Sequence, residues 1–157
     1  MKLSRTLLTI ALTSVFALTA TAHADREDKS PEGQAAKYRH STFTMIRYHF
    51  GPMGEMIKGK SDYDKDTFAK NADALATLAA LTENGFEVDG ITKGSRAKKD
   101  IWENKDKFDA GMKVFVENTA ALATAAKSGD MASIKPVFAK VADNCKQCHK
   151  SYRAKKD

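Results

Sequence analysis

The chain of 157 residues contains only two cysteines, both within one short stretch near its end, Cys145-Lys146-Gln147-Cys148-His149-Lys150. So few thiols exclude a disulfide-stapled scaffold. Long hydrophobic runs are equally scarce. The one that exists, residues 7–18, follows Lys2 and Arg5 and ends in the small-residue pattern Ala22-His23-Ala24. This is the pattern of a secretory signal peptide spanning residues 1–24. It falls short of the roughly 20 apolar residues that a membrane helix needs, and no second apolar stretch follows, so a soluble periplasmic protein starting at Asp25 is expected. Charge of one sign is not in excess either: losing Lys2 and Arg5 lowers the formal net charge from +6 to +4. Acidic residues alternate with the lysines, and no stripe of aromatic and basic residues stands out, which argues against a nucleic-acid partner. The 133 residues left after removing 24 from 157 suit a single domain, 25–157, large enough to bury a core without staples.

Strand-type alternation is also missing, and four segments carry helical periodicity instead. In the first, Ser30-Pro31 reads as N-cap and first helical position, and Ala36, Arg39, Phe43, Ile46, Phe50, Met53 and Ile57 recur every three or four residues. Gly51-Pro52 interrupts that stripe and predicts a bend or restart. The second segment, capped by Asp64 or Asp66, turns Phe68, Ala72, Leu75, Leu78 and Leu81 inward and stops at Asn84-Gly85. Residues 85–99 read as a long connection, with a separate helical turn at Ile101 and Trp102. The third segment buries Phe108, Met112, Phe115, Thr119 and Leu122 and ends at Ser128-Gly129. The last, capped by Asp130 or Ser133, carries Ile134, Phe138, Val141, Cys145, Cys148 and Tyr152 on one face; a start at Ser133 would make Pro136 tolerable. The fold class that follows is all-α, an antiparallel up-down-up-down four-helix bundle.

Residues three and four apart share a helix face, so Cys145, Cys148 and His149 form a single edge. C-x-x-C-H is the spacing of c-type haem attachment, in which two thiols add to the haem vinyl groups and the imidazole becomes an axial iron ligand. A disulfide across this spacing closes almost no loop and adds little. Thioredoxin-like exchange places its pair at a helix N-terminus in an α/β fold, and zinc would find at most three contiguous ligands and no second pair.

Two stretches, KYRHSTFTMIRYHFGPMGEMIKGK in the first helix and CKQCHKSYRAKK at the end, resemble the KYRQS and HFG-x-M run and the CKACH-x-x-YR-x-KK run of the cytochrome c′ family. The similarity spans the mature chain, and Trp102 falls where relatives carry a similar Ile-Trp pair. The resemblance implies a homodimeric four-helix bundle with one covalent haem c per chain, a high-spin five-coordinate iron, and diatomic gases as ligands. It implies Cys145 and Cys148 as thioether anchors, His149 as the proximal ligand, Arg153 near the proximal face, Arg39 near a haem propionate, and Phe43 over the distal face, where relatives usually carry an aliphatic residue.

Packing adds its own argument. In an up-down bundle the end of the last helix lies beside the first half of the first helix, where Arg39 and Phe43 stand one turn apart. An arginine on an apolar stripe needs a counter-charge, which a propionate would supply; snorkelling to solvent is the other reading. No sixth iron ligand is evident. Met53 and Met112 fall on core stripes, Met45 points about 200° away from Phe43, His40 is rotated about 100° off the haem-facing stripe, and His49 lies too far along the helix. Phe43 is therefore expected to crowd the distal face and weaken or slow carbon monoxide binding, with nitric oxide ending on the His149 side as that ligand detaches. Arg153 either polarises the proximal pocket or, with Lys146, Lys150, Lys155 and Lys156, forms a solvated helix end suited to the C-terminal dipole; a docking patch for an acidic redox partner is a third reading. The leading expectation is a non-enzymatic haem protein that binds nitric oxide, with carbon monoxide as a second gas, in buffering or protection. The alternative is a six-coordinate electron-transfer cytochrome of the related four-helix type. In those relatives the ligand methionine comes early in the first helix, whereas here none precedes Met45 in the mature chain. A peroxidase-like enzyme lacks an evident distal acid–base histidine.

Overall fold

The structure, a computed structural model, describes residues 28–92 and 94–155; the expected signal peptide lies outside them. Helix α1 spans Pro31–Ile57, α2 Lys65–Leu81, the short α3 Asp100–Glu103, α4 Lys105–Ser128 and α5 Met131–Tyr152, with a 3₁₀ turn at Thr82–Phe86 after α2. Each long helix starts or stops where side-chain chemistry dictates. The Ser30 hydroxyl accepts the Gly33 N–H at 3.0 Å with Pro31 opening α1, and Asp64 accepts the Thr67 N–H at 2.6 Å at the start of α2. Asp130 accepts the N–H groups of Ala132 and Ser133 at 3.0 and 3.2 Å. Such caps satisfy donors that the first helical turn leaves without partners. Helix α4 stops at Gly129, whose φ of 74° suits the left-handed position that closes a helix.

Of the two caps offered for α5, Asp130 is the one used, so Pro136 sits more than a turn inside the helix. Helix α1 runs without a restart through Pro52. In both places the carbonyl deprived of its donor, on Ala132 or Tyr48, belongs to an exposed residue, where water can serve it.

The bundle packs α1 on α2, α2 on α4 and α4 on α5. Its core is a continuous cluster including Met53, Phe68, Leu75, Leu122, Ile134 and Val141, all fully buried. Burying apolar surface on this scale, at about 25 cal/mol per Å², is what drives four amphipathic helices together. The inward stripes of α4 and of the first half of α5 match expectation, with Cys145, Cys148 and Tyr152 half-buried. In α2 the stripe drifts, so Ala79 is buried and Leu81 exposed. In α1 Thr42 takes a buried place, while Phe43, expected inward, is 37 % exposed. Steps of three and four residues average less than the 3.6-residue turn, so the stripe drifts round the helix and misplaces residues at its edge. Helices α1 and α5 meet through side chains, with Phe50 stacked on Phe138 at 4.5 Å between ring centroids.

Candidate haem-binding site

Cys145, Cys148 and His149 stand in the last third of α5, both thiols free and half-buried, His149 exposed. Helical spacing alone places them on one side. Burial pushes both thiols above their ordinary pKa, and the neighbouring Cys145 raises Cys148 further. Burial pulls the His149 imidazole below its ordinary value, as do the cations Arg153 and Arg96, in that order. A depressed imidazole is held neutral, the form that ligates a metal. Among the described residues, no three His, Cys, Asp or Glu side chains converge to hold an ion. Two thiols and an imidazole that do not close on one point fit a flat group bonded at separate carbons and ligated at its centre.

A relay of aromatic rings links this end of α5 to α1. Tyr152 meets Phe108 edge-on at 5.2 Å, Phe108 meets Phe86 at 4.7 Å, and Phe86 meets both Trp102 at 6.4 Å and Phe43 at 6.3 Å. The Trp102 indole N–H donates to the Phe86 carbonyl at 3.2 Å. The elements therefore bring Arg39 and Phe43 of α1 together with Trp102 of α3 and Tyr152 of α5, as antiparallel packing requires.

Arg39 is buried, with its guanidinium carbon 5.3 Å from the Phe86 ring centre and 5.6 Å from that of Trp102. It donates to the Gly85 carbonyl at 2.6 Å and to the Gly90 carbonyl. Burial lowers its pKa and Asp89 opposes that shift. Arg39 does not snorkel: two carbonyls and two ring faces already meet part of the demand that the sequence assigned to a propionate. Glycine eases this approach. A Cβ on Gly85 would lie 2.6 Å from the Arg39 Cγ, a clash, and one on Gly90 would crowd a terminal guanidinium nitrogen at 3.2 Å.

The side chains judged unsuited as a sixth iron ligand lie in the core, at the surface or on other partners. Met53 and Met112 are core residues and Met45 is exposed. His49 bonds Asn71 of α2 through its Nδ1 at 2.8 Å, and His40 is exposed. Arg153 is exposed and caps α5, its N–H donating to the His149 carbonyl at 3.3 Å. Sequence reasoning missed Phe86, which joins the relay, and Arg96, which lies close enough to act on His149. Both belong to aperiodic stretches, where no sequence signal marks a contact across the bundle.

Fold and site together define a four-helix-bundle protein with a c-type haem attachment edge. The family model for cytochrome c′ matches residues 34–153. Cytochrome c′ of Alcaligenes xylosoxydans xylosoxydans is 36 % identical over 122 residues, covering 78 % of this chain and 94 % of that one. Cytochrome c prime from Shewanella frigidimarina has a similar structure, with a TM-score of 0.78 and 39 % identity over 80 % of this chain and 98 % of that one. A nitric oxide complex of a leucine-to-alanine mutant of the Alcaligenes xylosoxidans protein gives a TM-score of 0.75 at 34 % identity, covering 81 % and 98 %. The chain belongs to the cytochrome c′ family, whose members carry covalently bound haem c. Among the described residues, no helix is long and apolar enough to cross a membrane.

Proposed function

We propose that the protein is an exported, periplasmic haem protein without an enzymatic reaction of its own, which binds nitric oxide, and carbon monoxide more weakly, on a five-coordinate iron. Cys145 and Cys148 hold the haem through thioethers and His149 ligates its iron; the haem supplies a metal that takes a diatomic gas. The observation that supports this reading is the placement of Cys145, Cys148 and His149 on one side of α5, three to seven residues before Tyr152, whose ring begins the relay that leads through Phe108 and Phe86 to Arg39 and Phe43. The nitric oxide complex of the Alcaligenes protein supports the choice of gas.

Each remaining residue has a physical task. Phe43 is exposed, with its ring edge-on to Phe86 of the 3₁₀ turn, so it can shield the open side of the iron without a lone pair to offer. Arg39 has five N–H donors and uses two on carbonyls, which leaves others for a propionate. Arg153 brings positive charge beside His149. A second copy of the chain covers the outer ridge of α1, where Tyr38, Met45 and the 74 % exposed Tyr48 project and the Tyr38 hydroxyl donates to the carbonyl of the exposed Leu81 at 3.0 Å. Apolar side chains grouped this way mark an interaction face.

Ferric and ferrous absorption spectra of the purified mature protein test the iron's coordination, and high-spin spectra are expected. A low-spin resting spectrum would replace this reading with the electron-transfer alternative. Phe43→Ala should tighten carbon monoxide binding by about tenfold, since relieving a steric clash is worth on the order of 1–3 kcal/mol. An unchanged affinity removes Phe43 from the role.

A further inference from the structure

The connection before α3 is tied to the end of α5. Residues 96–98 lie antiparallel to residues 152–154: the Lys98 N–H donates to the Tyr152 carbonyl at 3.1 Å, the Ala154 N–H donates to the Arg96 carbonyl at 2.8 Å, and Ala97 bridges Arg153. The Arg96 side chain closes the clasp. Its Nε–H and a terminal N–H both donate to the Ala154 carbonyl, at 2.9 and 2.6 Å. Lys98 adds its ammonium group, which donates to the Ser151 carbonyl at 2.9 Å.

All of these bonds land within five residues after His149. The last four carbonyls of a helix have no partner inside it, and such ends fray. Here the carbonyls of Ser151 and Tyr152, and that of Ala154 just beyond, are taken by groups from a different part of the chain. Charge-assisted and forked bonds are the strong ones, so the clasp opposes fraying where the haem-anchoring segment ends.

We infer that Arg96 is a positioning residue: it clamps the terminal turn of α5 and thereby restrains His149 from leaving the iron when a gas competes with it. The inference rests on the proposed role of His149 as the ligand. An imidazole departs more readily when the turn that carries it can open, and the clamp withholds that freedom. Positive charge alone would not do so, because a single ammonium cannot reproduce the two-pronged grip of a guanidinium.

The test uses the haem-loaded mature protein with Arg96→Ala, Arg96→Lys and Ala154→Pro, the last removing the N–H that pairs with the Arg96 carbonyl from the opposite side of the clasp. Two quantities are read: amide hydrogen exchange in residues 151–154, and the rate at which ferrous protein exposed to nitric oxide loses the iron–His149 bond, followed by absorption and electron paramagnetic resonance. Arg96→Ala is expected to speed both by about tenfold, the scale of one lost charge-assisted bond, with Arg96→Lys close to Arg96→Ala; Ala154→Pro, which loses a neutral backbone bond, should speed both by roughly fivefold, with exchange read at residues 151–153. Unchanged exchange overturns the clamp. Faster exchange with unchanged loss of His149 overturns its effect on the ligand, and full rescue by lysine overturns the geometric argument in favour of charge. If resonance Raman finds no iron–His149 bond in the unmutated protein, the site assignment itself fails, an outcome separate from all of these.

Discussion

Replacing Arg39 with methionine removes a cation but keeps an unbranched apolar side chain on α1, and the structure sets the size of the effect. Two bonds from a charged donor, to Gly85 and Gly90, are worth about 1.5–3 kcal/mol each, and the contacts over Phe86 and Trp102 add about 0.5–2 kcal/mol. Relief of the guanidinium's burial offsets part of this, since a buried cation is costly to desolvate. The net loss should be about 2–4 kcal/mol, which for a domain of this size lowers the melting temperature by on the order of 10 °C. Circular dichroism of the haem-loaded protein measures it, and amide exchange over residues 85–92 locates it, because the two carbonyls belong to that connection. Arg39→Lys should recover little, as one ammonium cannot reach both carbonyls with a planar fork. A melting temperature within about 2 °C of the parent, a shift worth less than about 1 kcal/mol, with loop exchange unaltered would refute the assignment of Arg39 as the tie between α1 and the connection. It would leave Arg39 with the propionate role alone.

Three further outcomes follow from the same geometry. Phe138→Ala removes a buried ring that stacks on Phe50 at 4.5 Å and should cost about 3–5 kcal/mol in urea unfolding. Gly129→Ala forces a side chain into a φ of 74° and brings its Cβ to 2.5 Å from the Lys65 Cδ, for a loss of about 1–3 kcal/mol in the same assay. The carboxylates of Asp64 and Asp130 are held below the ordinary aspartate range, chiefly by the Thr67 N–H and the Ser133 hydroxyl respectively. The unfolded chain therefore binds more protons, so their contribution is complete above the ordinary aspartate range and disappears as the pH falls through the lowered folded values. Asp64→Asn with Asp130→Asn, which retain a capping oxygen without titrating, should flatten the acid limb of melting temperature against pH; an unchanged limb would show that other carboxylates set it.

Much of this protein was legible from residue order. Cap residues and the three-four spacing of apolar side chains are local signals, and they placed the helices to within a few residues because a helix is stabilised by neighbours close in sequence. The shared face of Cys145, Cys148 and His149 was legible for the same reason, since their spacing sets it as soon as the segment is helical. Where the expectation slipped, at Phe43 and Leu81, the error lay at stripe edges, where a small rotation decides exposure.

Contacts between distant segments were decided by tertiary structure alone. Nothing in residues 85–99 announces that Gly85 and Gly90 present carbonyls to Arg39, that Phe86 bridges Phe43 to Phe108, or that Arg96 grips the chain at Ala154. These partners lie 22 to 58 residues apart, and an aperiodic connection carries no pattern to say which group it will meet. The residue order wrote the helices and the shared edge of Cys145, Cys148 and His149 into local geometry. The close of the bundle around that edge required the chain to fold back on itself, because only then do unpaired carbonyls and buried cations find one another.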